Sequence, residues 1–227
     1  PNLVLDPQTG ATVLGRFGWK ATTPNVRVQS AGAFSGDIGI STPDHPDPYG
    51  DCTAAQTACR ALPTGEQERL GPTEAPDPVM DLVTFYSENL AVPARRKVDD
   101  PQVLRGKALF SSLGCASCHT PKYVTSREAA NPAHRFQLIW PYTDLLLHDM
   151  GEGLADHRPD GDADGREWKT PPLWGIGLTE TVSGHTRFLH DGRARSLLEA
   201  VLWHGGEAEA ARDGVVALAP DDRAALI

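Results

Sequence analysis

The residues with the clearest chemical pattern in this chain are two cysteines and a histidine in the stretch GCASCHT, residues 114–120. Two residues separate Cys115 from Cys118, and His119 follows at once. Each thiol can add to one vinyl group of a porphyrin, and this spacing suits both bonds along one edge of the ring. The adjacent imidazole can then bind the iron. The motif therefore predicts one covalently attached c-type haem, with His119 as the proximal ligand.

Redox disulfides and zinc sites also use a Cys-x-x-Cys pair. A thioredoxin-like disulfide belongs in a βαβ context, which the surrounding sequence does not show. A zinc site needs a second close pair, whereas six residues separate Cys52 from Cys59. These two cysteines are instead expected to form a local disulfide in an oxidising compartment, the alternative being two free buried thiols.

A haem that transfers electrons usually has a second protein ligand, whereas a catalytic haem keeps that position open. The candidates downstream of the motif are His148, Met150, His185, His190 and His204. His204 lies three residues after Val201 and seven after Leu197, on one face of a predicted helix. Alternatively, it is a helix-terminal histidine stabilised by the dipole, and Met150 is core filler.

Four segments have the apolar spacing or the boundary signals of helices. They are residues 77–91, residues 100–113, residues 196–204 and a last helix that begins near Pro220. Ser196 and Glu199 have the spacing of a capping box, and two glycines follow His204. The 22 glycines and 19 prolines indicate long ordered loops. Because no alternating pattern extends beyond a few residues, we expect a mainly α fold.

The composition excludes several classes of protein. A chain of 227 residues that is 40% apolar can bury a core, which excludes a disordered or fibrous protein. The formal net charge is −9, and no basic run suggests nucleic acid as a partner. No apolar stretch is long enough for a membrane span. The acidic balance suits a basic partner, such as a small redox electron carrier, through electrostatic steering.

The segment RPDGDADG, residues 158–165, begins like a calcium loop, with acidic residues at 160, 162 and 164 before Gly165. Its twelfth position is Pro171, where a calcium loop has a bidentate glutamate. A solvated turn is therefore the expected structure, while a calcium ion elsewhere in the protein stays open.

Two sequence blocks, EWKTPPLWGIG and HTRFLHDGRARSLLEAVLWHGGEA, resemble the C-terminal haem domain of the bacterial di-haem cytochrome c peroxidase superfamily. Shared features are a Lys-x-Pro-x-Leu stretch, an aromatic-x-His-Asp-Gly turn and a Leu-Glu-Glu-Ala-like helix. The stretches LLLHDMGEGLAD and FGWKA are most similar to the branch of di-haem oxidoreductases, also described as thiol oxidoreductases or peroxidases. The resemblance covers nearly the whole chain and is most specific from Tyr142 to Gly206.

This resemblance implies roles for single residues. In the superfamily, the distal ligand of the C-terminal haem lies on the helix after His-Asp-Gly, and fourteen residues after His190 comes His204. His204 is thus the expected distal ligand, with Met150 second, and His190 would line the haem pocket.

The stretch GRFGWKATTPNVRVQSAGAFSGDIG resembles the inter-haem region of the peroxidases. On that match Trp19 passes electrons between two haems, and Gln29 and Asp37 face the distal side of a catalytic haem. The sequence departs from the peroxidases in having Gly18-Trp19-Lys20 for Trp-Asp-Gly and an aspartate at position 37 for a glutamate.

A di-haem protein has an earlier Cys-x-x-Cys-His motif, and none precedes residue 115. The chain begins at Pro1 without a signal peptide, and both ends look cut, so we expect a larger protein whose second haem lies upstream. Residues 1–75 would be a loop-rich remnant of the first haem domain, and residues 76–227 a C-terminal cytochrome c-like haem domain.

The expected function is that of a periplasmic or otherwise exported haem oxidoreductase, peroxidase-like, in which this haem stores or relays electrons. Its partners would be the small electron carrier and a small-molecule oxidant or substrate. The alternatives are a pure electron-transfer cytochrome c without its own substrate, and a haem protein that serves as an assembly or docking module.

Overall fold

The helices and strands of the chain are short and are joined by long loops. The computed structural model describes residues 1–227. In chain order the elements are β1 (Leu3–Leu5), β2 (Thr12–Leu14), α1 (Val26–Ile38), α2 (Thr57–Arg60), α3 (Asp77–Glu88), α4 (Pro101–Ser112), β3 (Tyr123–Val124), β4 (Leu138–Ile139), β5 (Leu147–Asp149), β6 (Glu167–Lys169), α5 (Thr179–Ser183), α6 (Leu197–Leu202), α7 (Glu209–Ala217) and α8 (Pro220–Leu226). Five 3-10 turns lie among them, and one of these, Cys115–Ser117, holds part of the haem motif.

The prediction of a mainly α, cytochrome c-like fold is wrong. The chain is 37% helix, counting the 3-10 turns, and 11% strand, counting the isolated bridges, so it is mixed α/β and rich in loops. Nothing in it positively shows a cytochrome c fold. The strands pair antiparallel as β1–β2, β3–β4 and β5–β6, in three separate sheets. Each strand has two or three residues, which is too short for an alternating pattern to appear in the sequence.

All four predicted helices are present, as α3, α4, α6 and α8, although α6 ends at Leu202 and so leaves His204 just outside it. The sequence pattern did not indicate α1, α2, α5 or α7. Local signals do bound α1: Asn25 caps it by accepting a hydrogen bond from Val28 N at 2.9 Å, and Gly39 ends it in a left-handed conformation. Between these ends, however, small residues such as Gly32 and Gly36 leave no clear apolar stripe.

Two compact units make up the chain. One comprises Pro1, Trp19–Ala21 and Val92–Ile227, and the other comprises Asn2–Gly18 and Thr22–Ala91. The haem motif belongs to the first unit, and α1 to α3 belong to the second. The assignment of residues 1–75 to a first haem domain and of residues 76–227 to a C-terminal haem domain stays a prediction.

In the unit that contains α1 and α3, the two helices pack around a small core of Ala31, Ala75 and Met80. The apolar stripe that predicts α3 does not form this core, since Leu82 and Tyr86 are 70% and 67% exposed. The periodicity therefore located the helix correctly, whereas the buried face is centred on Met80.

The predicted disulfide between Cys52 and Cys59 is confirmed, with 6.2 Å between the two Cα atoms. It encloses the start of α2, and Arg60 at the end of that helix donates a hydrogen bond back to Cys52 O at 3.1 Å. The disulfide and this hydrogen bond together close one loop of the unit.

In the unit with the haem motif, α4 packs directly against α8. Gly106 is the buried residue of α4, and a methyl group added there would overlap the carbonyl oxygen of Ala225. The approach of the two backbones therefore requires a residue without a side chain at position 106.

Gly106→Ala is expected to lower the free energy of unfolding by at least about 2 kcal/mol, because the added methyl group forces the two helices apart. Gly36→Ala, in the interior of α1, is the matched control, since nothing lies within 4 Å of its added methyl group. Helix propensity predicts that this control gains about 0.5–1 kcal/mol. Urea unfolding followed by circular dichroism measures both changes, and a Gly106→Ala chain as stable as wild type would contradict the close packing.

Candidate haem site

The haem motif lies on the turn that follows α4. Gly114 has a φ of 86°, a left-handed conformation that glycine adopts without steric strain. The chain then turns so that His119 N donates a hydrogen bond to Cys115 O at 3.0 Å. Cys115 and Cys118 are not joined in a disulfide. One turn of backbone therefore carries both thiols and the imidazole of the motif.

Both thiols of the motif are partly withdrawn from water. Desolvation raises the pKa of Cys115 and of Cys118, and for Cys118 the negative charges of Asp144 and Glu207 act in the same direction. Neither thiol therefore has the lowered pKa that is typical of a redox-active cysteine.

The imidazole of His119 is held in one tautomer. Its Nδ1 lies 3.0 Å from the carbonyl oxygen of Tyr142, and because a carbonyl can only accept, the proton is on Nδ1 and Nε2 keeps its lone pair. Burial lowers the pKa of His119, so the ring is neutral at physiological pH. Phe110 of α4 packs edge-on against the Tyr142 ring, with centroids 5.7 Å apart, and supports the residue that accepts this bond.

His204 is in the same state just after α6. Its Nδ1 lies 2.7 Å from the carbonyl oxygen of Ala200, which again places the proton on Nδ1, and burial lowers its pKa. The predicted capping box of this helix forms in part. Ser196 Oγ accepts from Glu199 N at 3.1 Å, but the Glu199 carboxylate accepts from Arg195 N at 2.9 Å.

Burial is the main cause that lowers the pKa of His119, and electrostatic interaction with His204 acts in the same direction. Each ring is neutral, with Nδ1 donating to a backbone carbonyl and Nε2 available, which is the usual arrangement of histidine at a metal. These residues have the donor chemistry of a c-type haem site, in which His119 and His204 could ligate the iron and Cys115 and Cys118 could form the two thioethers.

Two glycines bring the end of α6 against β5 and the turn that follows it. A methyl group on Gly206 would overlap the carbonyl oxygen of Asp149, and one on Gly205 would lie 2.9 Å from that of Met150. Only residues without a side chain allow this backbone contact, which we call the glycine contact. It holds the chain in place directly after His204.

A carboxylate–imidazole–carboxylate cluster reinforces the glycine contact. Glu207 Oε1 accepts from Asp149 N at 3.0 Å, and Glu207 Oε2 lies 2.9 Å from His148 Nδ1. Asp144 Oδ2 lies 2.8 Å from His148 Nε2. Desolvation opposes the charged ring, but the two carboxylates outweigh it and raise the pKa of His148. Both ring nitrogens of His148 are therefore engaged by carboxylates, so it is no longer a candidate iron ligand. We call His148 a brace because it links Asp144 to Glu207.

The same cluster has the composition of a metal site, since Cys118, Asp144 and His148 place their ligand atoms within 4.8 Å of one another. However, desolvation raises the pKa of Cys118, and the two carboxylates raise that of His148. Both shifts favour the protonated forms, so a cation would have to displace protons from Cys118 and His148 in order to bind. The cluster is better described as a hydrogen-bonded brace. Asp144 and Glu207 belong to no sequence motif and could not have been found from spacing.

Met150, the second candidate for the distal ligand, lies in the glycine contact. Its N–H donates to the carbonyl oxygen of Arg166 at 3.0 Å, and its own carbonyl oxygen faces Gly205. Met150 thus lies beside the end of α6, and its main chain is held on both sides.

His190, expected to line the haem pocket, stacks on Trp168, with ring centroids 3.6 Å apart and planes inclined by 13°. Trp168 Nε1 donates to the carbonyl oxygen of Leu154 at 3.1 Å, which fixes the indole ring. Burial lowers the pKa of His190. The remaining candidate, His185, is exposed and accepts a hydrogen bond from Arg187 N at 3.1 Å.

The residues expected to act at a second haem belong to different units. Trp19 lies in the unit with the haem motif, is 53% exposed, and accepts a hydrogen bond from Lys169 N through its carbonyl oxygen at 2.9 Å. Gln29 and Asp37 occupy exposed positions of α1 in the other unit, where Gln29 Oε1 accepts from Thr23 Oγ1 at 2.8 Å. Their roles stay predictions.

Comparison with known protein families identifies the chain. Residues 4–227 match the family described as "Di-haem oxidoreductase, putative peroxidase". The chain belongs to this family. The predicted resemblance to the di-haem oxidoreductase branch is thereby confirmed, and haem-dependent oxidation and reduction is the chemistry of the family. Searches of curated proteins and of solved structures found no match. None of the helices of this di-haem oxidoreductase is long and apolar enough to cross a membrane.

In this di-haem oxidoreductase, Glu207→Ala is expected to lower the free energy of unfolding by about 1 kcal/mol, because it removes the hydrogen bonds to Asp149 N and His148. Glu209→Ala is the matched control, since it breaks an exposed ion pair with Arg212 and should cost less than about 0.5 kcal/mol. Urea unfolding measures both values. Equal losses in the two variants would show that Glu207 does not reinforce the glycine contact.

Proposed function

We propose that this di-haem oxidoreductase carries one covalently attached c-type haem, ligated by His119 and His204, which stores or relays electrons in a peroxidase-like reaction. The observation that carries the proposal is the pair of neutral imidazoles, each with Nδ1 held by a backbone carbonyl. The attachment motif directly precedes the first of them.

Each residue of the site has a distinct task in this proposal. A bound haem supplies one-electron redox chemistry at its iron. Cys115 and Cys118 would hold the haem covalently through two thioethers. His119 and His204 keep their protons on Nδ1, and the hydrogen bond to a carbonyl increases the electron density at Nε2. Burial of both rings limits the access of water to the ligand atoms.

Two histidine ligands leave no open coordination position, which suits this haem to electron storage or transfer. The reaction with a small-molecule oxidant or substrate then belongs to a second haem, in keeping with the di-haem description of the family. In this scheme Trp19 relays electrons between the two haems, and its carbonyl is fixed by Lys169 N. Gln29 and Asp37 would act on the distal side of the second haem, where a small-molecule oxidant or substrate reacts.

The charge and the cysteines of the chain support a type of partner and a location for the protein. The net charge of −9 favours a small basic electron carrier as the partner. Haem attachment through thioethers and the Cys52–Cys59 disulfide support an exported location, such as the periplasm.

The second candidate function is that of a pure electron-transfer cytochrome, and the same pair of histidines favours it. The two functions differ in their reaction with peroxide. If the full-length protein turns over hydrogen peroxide with a reduced electron carrier, it is a peroxidase-like enzyme. If it only exchanges electrons with the carrier, the cytochrome function is correct.

Covalent attachment is expected to survive denaturation. Acid–acetone extraction should leave the haem on the wild-type chain and release it from the Cys115→Ala/Cys118→Ala double variant, because thioether bonds do not depend on the fold. The Cys52→Ala/Cys59→Ala double variant is the control and should retain its haem. Haem that extracts freely from the wild-type chain would contradict the attachment.

His204→Ala is expected to convert the oxidised haem from low spin to high spin and to open it to exogenous ligands, because one of two strong donors is lost. Met150→Ala should leave the spectrum nearly unchanged. Visible absorption and electron paramagnetic resonance measure both, and the wild-type spectrum should lack a sulfur-to-iron charge-transfer band.

His185→Ala serves as the control for the loss of a histidine, since His185 is exposed and lies outside the site. The opposite pattern, with a high-spin haem in Met150→Ala and an unchanged spectrum in His204→Ala, would assign the distal position to Met150.

A further inference from the structure

The ammonium group of Lys20 is buried among the oxygen atoms of a loop. Its side chain is 5% exposed, and Nζ donates to Asp156 Oδ1 at 2.8 Å, to the carbonyl oxygen of Arg158 at 2.5 Å and to that of Asp164 at 2.9 Å. A buried ammonium requires such partners, because its desolvation is otherwise unfavourable by several kcal/mol. These contacts fix the side chain of Lys20 within the loop of residues 156–165.

The surrounding loop, residues 156–165, closes on itself. Asp156 N donates to the carbonyl oxygen of Gly165 at 2.9 Å, and a methyl group on Gly165 would lie 2.5 Å from the main chain at the start of the loop. The carboxylate of Asp164 accepts from the N–H groups of the next turn, so its carbonyl oxygen is the group that meets Lys20. The closed loop thus directs its oxygen atoms towards the ammonium group of Lys20.

A carboxylate oxygen and main-chain carbonyl oxygens around a cation are the donor chemistry of a calcium loop. The acidic run at residues 160–164 suggests this chemistry from the sequence, and in the structure oxygens of Asp156, Arg158 and the main chain of Asp164 accept from the ammonium. The loop is therefore built for a cation, and a cation already lies in it.

We propose that residues 156–165 form a cation-binding loop whose resident cation is the ammonium of Lys20, so that the chain takes no calcium ion there. A calcium ion would have to displace a buried ammonium from all of its oxygens, and like charges would oppose its entry. This inference stands on the loop alone and does not depend on the haem ligands.

The internal cation joins the loop to residues near the candidate haem site. Lys20 Nζ lies 4.6 Å from the centroid of the Trp168 ring, on which His190 stacks. The residue before it, Trp19, is bonded through its carbonyl oxygen to Lys169 N. The tethered ammonium therefore links the loop to the Trp168 ring without a bound metal ion.

Thermal unfolding of the haem-loaded chain tests the inference with Lys20→Ala and Lys20→Met. Both variants should unfold roughly 5 °C below wild type, because the oxygens of the loop lose their donor. n-Propylammonium chloride should raise the Tm of Lys20→Ala, whose cavity can admit it, but not that of Lys20→Met, whose side chain fills the space. Sodium chloride at equal ionic strength should have no such effect. Lys122→Ala, at an exposed position, is the control and should match wild type.

Calcium distinguishes the internal cation from a metal site. Calcium chloride and a chelator should both leave the Tm of the wild-type chain unchanged. In calorimetric titrations with calcium chloride, the wild-type chain and Asp156→Asn should give the same result, because the loop binds no calcium ion in either. Calcium binding that disappears in Asp156→Asn would overturn the inference, and so would a Lys20→Ala chain that unfolds at the wild-type temperature. Equal effects of propylammonium on all chains would overturn it as well. The wild-type calcium titration decides the question if the Lys20 variants do not fold.

Discussion

The glycine contact between Gly205–Gly206 and Asp149–Gly151 is the constraint on which the candidate haem site depends. A helix as short as α6 cannot hold a side chain in place by its own hydrogen bonds, because short helices are marginal in water. The backbone contact directly after His204 supplies the missing rigidity, and the Glu207 carboxylate adds bonds across it. A ligand atom can then be positioned from both sides, by the cap of α6 and by this contact.

The histidines in the unit with the haem motif show how the surroundings change the chemistry of one residue type. At His119 and His204 burial dominates, so the rings are neutral and can offer a lone pair. At His148 two carboxylates outweigh burial, so the ring favours its charged form and serves as a brace. The positively charged side chains of His148 and Lys20 are thus each paired with carboxylates, Lys20 with Asp156. The candidate ligands His119 and His204 carry no charge.

Local chemistry explains which features could be predicted from the sequence. The attachment motif, the disulfide and the four predicted helices each depend on residues a few positions apart, and the structure contains all of them. The fold class was wrong because strands of two or three residues leave no periodic signal. The buried face of α3 was missed for a related reason, since burial at Met80 depends on α1, a helix without a clear apolar stripe.

The sequence by itself determined the haem motif, the family and the place of His204 at a helix end, because these rest on residue types and on short spacings. Only the tertiary structure decided that Asp144 and Glu207 turn His148 into a brace, and that Lys20 enters a loop 136 residues away at Asp156. Such contacts depend on the paths of long loops. Those paths are set by many weak contacts summed over the whole chain, and no local pattern of residues encodes them.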